Sequence, residues 1–348
     1  INWTNKPVRC LGIYIGHDRY ECNRLNWDTR ITKMENVIQS WRMRNLTMFG
    51  KILVLKCLVC SIICFPAMFL SIPEDVSKYL NKILYGFIWN KRDRISRKSM
   101  ISDYCDGGIK MIDIDSKFQS LKISWVKRII NDVNNPNCKW TCILEMHIGK
   151  WNISVEQLLL MSFKSEKQYP SSLKLPVFYK EVLLSFNNIK NKKLICNMSN
   201  SDFMSQLLWG NENFMVDNKT IFLPTWTKSG ILFVKDMFQR NGSLYSIETV
   251  KQKLSDTRNY ICEYKMITKM LKKYVPRFDC TIAHFVNCDK EPQFLIDKSM
   301  MLGVDISSKL AYKILVDKKK TKPICISFWA RTFTIDHNIV PIKHYFLK

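Results

Sequence analysis

Residues 76–98 read VSKYLNKILYGFIWNKRDRISRK. Val76, Leu80, Ile83, Leu84, Phe87 and Ile88 recur at helical spacing and keep one face apolar for three turns. Pro73, Glu74 and Asp75 stand just before them, a proline followed by acids at the positive end of a helix dipole. Past Trp89 the chain turns basic: Lys91, Arg92, Arg94, Arg97 and Lys98 face the single acid Asp93. An amphipathic helix needs a partner for its apolar face, so this stretch predicts a packed helical unit that carries positive charge at one end.

The segments on either side extend the same reading. Ile31, Met34, Ile38 and Trp41 predict a helix over 28–43, RNLT breaks it, and Thr47 is placed to cap the next one. That next helix holds the apolar run ILVLKCLVCSIICFPAMFL, 52–70. Its length approaches the ~20 residues of a membrane span. Lys56 and Pro66 interrupt it, and a buried central helix of a bundle is the preferred reading. Upstream, VRCLGIYIG (8–16) reads as a short extended element with glycines. Downstream, GGIKMIDI (107–114) gives a glycine turn and an extended piece. Phe118, Leu121, Trp125 and Ile129 then mark a helix that ends near NDVNNPN.

Beyond 131 the pattern loosens. Helices are expected near 154–163, 176–187 and 257–274, with a hairpin in 213–223 turning at Asp217-Asn218. DKKKTKP (317–323) reads as a basic linker. The predicted fold class is mainly α with short β-hairpins (α+β).

The 348 residues suffice for two or three domains with real cores. Lys and Arg number 54 against 30 Asp and Glu, a net charge of +24, spread along the chain rather than gathered at one spot. Such an excess favours a long polyanion, nucleic acid first and an anionic membrane surface second. The 13 cysteines lack the dense spacing of a stapled miniprotein, which fits reduced thiols inside a cell, in nucleus or cytoplasm. No signal peptide is visible. Ile1 in place of a start methionine reads as the beginning of a piece of something longer.

The residues that usually carry chemistry are missing from this reading. There is no Asp-Asp pair of the kind that holds catalytic metals in a polymerase, no glycine-rich phosphate loop, and neither G-x-S-x-G nor H-E-x-x-H. His17, His147, His284, His337 and His344 are scattered. Cys57, Cys60 and Cys64 share a helical face among Leu, Val and Ile, where cysteine packs as a small apolar residue. Cys138 and Cys142 with His147, and Cys280, His284 and Cys288, approach zinc spacing without a matched second pair. No catalytic residue, cofactor, metal or small-molecule substrate is expected. The basic run, beside Trp89 and helices carrying Arg42, Arg44, Lys51 and Lys110, is the candidate surface for phosphates.

Three stretches together carry a resemblance. WRMRNLTMFGKILVLK (41–56), LNKILYGFIWNKRDRISRKSMISDYCDGGIKMIDI (80–114) and LKISWVKRI (121–129) resemble the region after the catalytic palm in reverse transcriptases of LINE-type non-LTR retrotransposons. Trp41, Arg44, Leu46, Thr47, Gly50, Lys51, Phe87, Ile88, Trp89, Gly107 and Gly108 match that pattern in order and spacing, with Thr for Ser and Lys for Arg. LGIYIG (11–16) is similar to the hairpin that grips the primer end, which makes Leu11, Gly12 and Ile13 primer-grip-like. LWGNENFMVDNKTIFLPTWTKSGILFVKDMF (208–238) and SKLAYKILVDKKKTKPICISFWARTF (308–333) resemble the segments between the thumb and a C-terminal Cys/His cluster.

The resemblance implies a palm-edge hairpin over 1–27, a helical thumb-like domain over 28–131 and an α-rich connector over 132–348. The paired aspartates of the palm and the fingers are not in this sequence, so the expected part is a thumb that holds a template–primer duplex without polymerising. RNA, DNA or an RNA–DNA hybrid would be the partner, together with the missing palm and fingers, and no membrane is expected. Two other readings remain: a basic protein anchored to a membrane through 52–70, and a retroelement-derived RNA-binding structural protein.

Overall fold

A computed structural model describes residues 6–89, 93–133, 135, 138–162, 173–190, 203–239, 241–254, 260–273 and 307–320. The described residues are mostly helical with two short antiparallel strand pairs, the class expected from the sequence. Its described residues form two compact units: those of Ile1–Lys122 and Ser308–Lys348, and those of Ile123–Ser307. This division differs from boundaries at 27 and 131.

The first unit begins with the hairpin β1 (Val8–Cys10) and β2 (Ile13–Ile15), in which Cys10 pairs with Ile13 and leaves only Leu11-Gly12 in the turn. Both turn residues have positive φ, 48° and 81°, as a two-residue turn matching the strand twist requires. Helix α1 (Arg19–Arg42) starts nine residues before the expected 28 because Asp18 accepts hydrogen bonds from the Tyr20 and Glu21 amides. The described part of 1–27 therefore holds the hairpin and the first turns of α1. Asn26 joins the two, accepting from the Tyr14 amide and donating to the Tyr14 carbonyl, both at 2.8 Å.

Thr47 caps α2 (Met48–Val54) as expected, accepting from the Gly50 amide at 3.2 Å. The apolar run does not continue as one helix. A π-helical turn at Leu55–Val59 separates α2 from α3 (Ser61–Phe69), and Met48–Val59 is bent by 47° from Ser61–Phe69. Ile52, Leu55, Val59, Cys60, Ile63 and Ala67 are buried, whereas Phe49, Leu53, Leu58 and Phe65 stay exposed. The extra residue in that turn also splits the three cysteines: Cys60 is buried, Cys64 half-buried and Cys57 exposed, so they do not share one buried face. Among the described residues, no single helix is long and apolar enough to cross a membrane.

Helix α4 (Glu74–Trp89) buries Leu80, Leu84, Tyr85, Phe87 and Ile88 against α1, α2 and α3. A short turn α5 (Arg97–Met100) leads to the glycine pair. Gly107 has φ 76°, and a Cβ on Gly108 would lie 2.2 Å from the Ser102 carbonyl oxygen. The first glycine supplies a left-handed turn; the second lets two backbones touch. Helix α6 (Ile114–Val133) is capped by Asp113, which accepts from the Ser116 amide at 3.0 Å.

In the second unit, α7 (Cys142–Gly149), α8 (Val155–Leu160) and α9 (Val177–Asn187) precede the hairpin β3 (Met215–Val216) and β4 (Lys219–Thr220). Asp217 and Asn218 turn it with positive φ, as their order predicts. Trp209 and Trp226 are fully buried at the centre, with ring centroids 6.2 Å apart. Trp209 donates to the Ile231 carbonyl and Trp226 to Glu263. Helices α10 (Pro224–Lys228), α11 (Ile247–Leu254) and α12 (Ile261–Lys272) close this unit.

The last described helix, α13 (Ser308–Lys319), belongs to the first unit. The Tyr312 hydroxyl accepts from the Asp113 amide, Lys319 pairs with Asp113, and Lys320 reaches Asp103, Asp106 and Asp317. Residues 317–320 are thus a docked helix end where a basic linker was expected.

Candidate nucleic-acid interface

The basic run follows helix α4 in the sequence. Lys91 and Arg92 lie outside the described residues. Arg94, Arg97 and Lys98 are exposed, but they are not equivalent. The Arg97 Nε donates to Asp93 at 2.7 Å, and its guanidinium stacks 4.2 Å from the Tyr85 ring centroid. Arg94 and Lys98 have no ion-pair partner among the described residues. Trp89 is half-buried against the core with its indole nitrogen enclosed, which leaves it poorly placed to stack on a base.

The other sequence-predicted cations divide in the same way. The Lys51 ammonium donates to the Ile88 carbonyl at 3.2 Å and sits 5.7 Å from the Phe87 ring centroid. A cation at the last turn of α4 offsets the negative end of its dipole, so Lys51 holds α2 to α4. Arg44 stacks on Trp41 at 4.4 Å. Lys110, itself at φ 53°, pairs with Asp103 at 2.6 Å and lies over Tyr104. Its hydrogen bond, with that of Lys320, holds the Asp103 carboxyl below the usual carboxylate range. Arg42 is exposed with no ion-pair partner among the described residues.

At the hairpin, Ile13 is buried, whereas Leu11 is 86% exposed and adopts a backbone conformation that costs a branched residue about 1–2 kcal/mol. Arg30 donates to the carbonyls of Gly12 and Asn26, fixing the tip to α1. Asn26 and Arg30 carry no motif in the sequence; only their distance from the hairpin in space shows what they do.

A cleft of about 460 Å³ opens between α1 and α4, lined in part by Glu35, Arg42, Tyr79, Lys82, Gly86 and Arg97. Of these, the sequence marks only the two arginines. Tyr79 donates its hydroxyl to Glu35. Elsewhere, Lys56 stands in the π-helical turn, where burial chiefly, and then nearby Lys110, depress its pKa. Burial also pushes the Cys60 thiol up to about 12, which marks it as inert packing. Among the described residues, no three His, Cys, Asp or Glu side chains form a metal-binding group. Cys280, His284 and Cys288 lie outside those residues. No protein-family model matches the chain.

Proposed function

We propose that this chain binds nucleic acid as the thumb and following region of a LINE-type non-LTR reverse transcriptase, gripping backbone phosphates without carrying out polymerisation itself. One observation carries the reading. Arg94 and Lys98, which follow the packed helix α4 in the sequence, are exposed and without acid partners among the described residues, in a chain of charge +24. An exposed cation without an acid partner is free to neutralise a phosphate and release its counterion. RNA, DNA and RNA–DNA hybrid all present that phosphate.

The test is the salt dependence of binding to unrelated duplexes. Changing Arg94 and Lys98 to Gln removes two contacts, and at about 0.9 per contact the log–log slope flattens by about 1.8. Between 50 and 200 mM salt, wild type then loses about 12-fold more affinity than the variant does. Arg97 is left alone because Asp93 and Tyr85 hold it. An unchanged slope returns the run to an ordinary charged loop.

A second reading has its own observation. Phe49, Leu53, Leu58 and Phe65 leave the bent α2–α3 pair with an exposed apolar side. That side fits the surface of a membrane rather than its interior. Flotation with anionic liposomes, unaffected by changes at Arg94 and Lys98 but lost on Leu53→Asp with Phe65→Asp, favours this second reading.

A further inference from the structure

We infer that the cleft between α1 and α4 holds one nucleotide unit of a bound strand, with its phosphate against Arg42 and Lys82 and its sugar against the bare backbone of Gly86. This rests on the nucleic-acid reading above and gives it a specific site, which meets the basic run only at Asp93 and Arg97.

Gly86 is the first reason. It lies inside α4, where glycine costs about 0.5–1 kcal/mol relative to alanine. A glycine is normally forced by positive φ or by a close neighbour. Gly86 is absent from the positive-φ glycines, and a Cβ built on it meets nothing within 4 Å. The fold therefore has no use for the missing side chain, in contrast to Gly108, whose Cβ would strike Ser102. The open space beside Gly86 is the cleft. A bare helix backbone facing a cavity is what the close approach of an outside group requires.

Charge is the second reason. The cleft wall carries three cations, Arg42, Lys82 and Arg97, against two carboxylates: Asp93, paired with Arg97, and Glu35, which keeps its charge while accepting from the Tyr79 hydroxyl. Arg42 and Lys82 have no ion-pair partner among the described residues. The spare charge in the cleft is positive, so its ligand is an anion. Size and polarity narrow the class further. About 460 Å³ falls in the range for a small ligand: it has room for one sugar–phosphate unit of a strand, free or within a hybrid, and not for the width of a duplex. The half-exposed ring of Tyr79 and the carboxylate of Glu35 suit a sugar or base edge beside the phosphate better than they suit a bare inorganic anion.

Two probes separate this site from the wider reading: a labelled RNA–DNA hybrid of unrelated sequence, and adenosine monophosphate alone. Gly86→Ala is expected to raise the melting temperature slightly, since alanine is the better helix former and fits the space, while it weakens hybrid binding. Gly86→Leu is expected to fill the cleft and weaken both probes by about tenfold. The double variant Arg42→Gln, Lys82→Gln removes one phosphate contact and is expected to flatten the hybrid salt slope by about 0.9 and abolish stabilisation by the mononucleotide. Arg94→Gln with Lys98→Gln is expected to leave the mononucleotide untouched.

If Gly86→Ala and the Arg42, Lys82 variant, both folded, bind both probes as wild type does, the cleft assignment fails and the phosphate-binding run survives. Mononucleotide binding that depends on Arg42 and Lys82, in a chain that binds no strand, keeps the cleft as a nucleotide site and removes the thumb reading. Binding of neither probe by wild type overturns both.

Discussion

Replacing Gly108 with alanine isolates what the Gly-Gly pair does. A Cβ there would sit 2.2 Å from the Ser102 oxygen, 2.4 Å from its carbonyl carbon and 2.7 Å from its Cβ. A carbon and an oxygen tolerate little less than 3 Å, so the two backbones must separate by about 1 Å. That separation acts on the hydrogen bonds that clasp them: Lys110 amide to Ser102 carbonyl at 2.9 Å, Gly108 amide to Asp103 carbonyl at 2.9 Å, and Met111 amide to Met100 carbonyl at 2.9 Å. Losing two of the three at about 0.5–1.5 kcal/mol each, with Met111 and Ile112 pulled partly out of the core, gives a destabilisation of about 2–4 kcal/mol. Gly107→Ala faces the left-handed φ of 76°, a cost of about 1–2 kcal/mol. Denaturant melts of the two variants and of Gly86→Ala are thus expected to rank Gly86→Ala above wild type, then Gly107→Ala, then Gly108→Ala. A Gly108→Ala protein as stable as wild type would refute the close approach on which this ordering depends.

Phe87, a fully buried residue of α4, is expected to cost about 3–5 kcal/mol on change to alanine, read by the same melts. Lys51→Met keeps the stem but removes the donor to the Ile88 carbonyl, an expected loss of about 1–2 kcal/mol with little change in nucleic-acid salt slope. Lys56→Met is expected to raise the melting temperature, because burial already disfavours the Lys56 charge. Asp103 has a folded pKa below its unfolded one, so its contribution is present above the unfolded value and lost as pH falls through the folded one. Acid melts below about pH 4 are expected to show that loss in wild type and not in Asp103→Asn.

Features with local causes were legible. The apolar period of α4, the Thr47 cap and the Asp217-Asn218 turn each depend on residues within one or two turns, and each forms as its sequence predicts. Features with distant causes were not. The Asp113 amide meets the Tyr312 hydroxyl across 199 residues, so the end of α13 reads as part of a basic linker over 317–323 until its partners are placed. The cysteine face at 57–64 fails for a different reason: helical periodicity assumes 3.6 residues per turn, and the π-helical turn inserts one more.

Charge shows this limit most clearly, and it decides how the interface should be probed. A sequence counts cations but does not say which are spent. Lys51 is spent on the end of α4, Lys110, Lys319 and Lys320 on the aspartates at 103, 106 and 113, and Arg97 on Asp93 and Tyr85. A cation already paired in the free protein gains little from a phosphate, because it must first give up a partner of the same sign. Arg42, Lys82, Arg94 and Lys98 have no such partner to give up among the described residues. Removing a spent cation therefore costs stability first, whereas removing an unspent one costs affinity first. A charge scan that measures melting temperature and salt slope on the same variants is expected to fall into those two groups, and a spent residue such as Lys110 that changed only the slope would show that its pairing with Asp103 does not hold in solution.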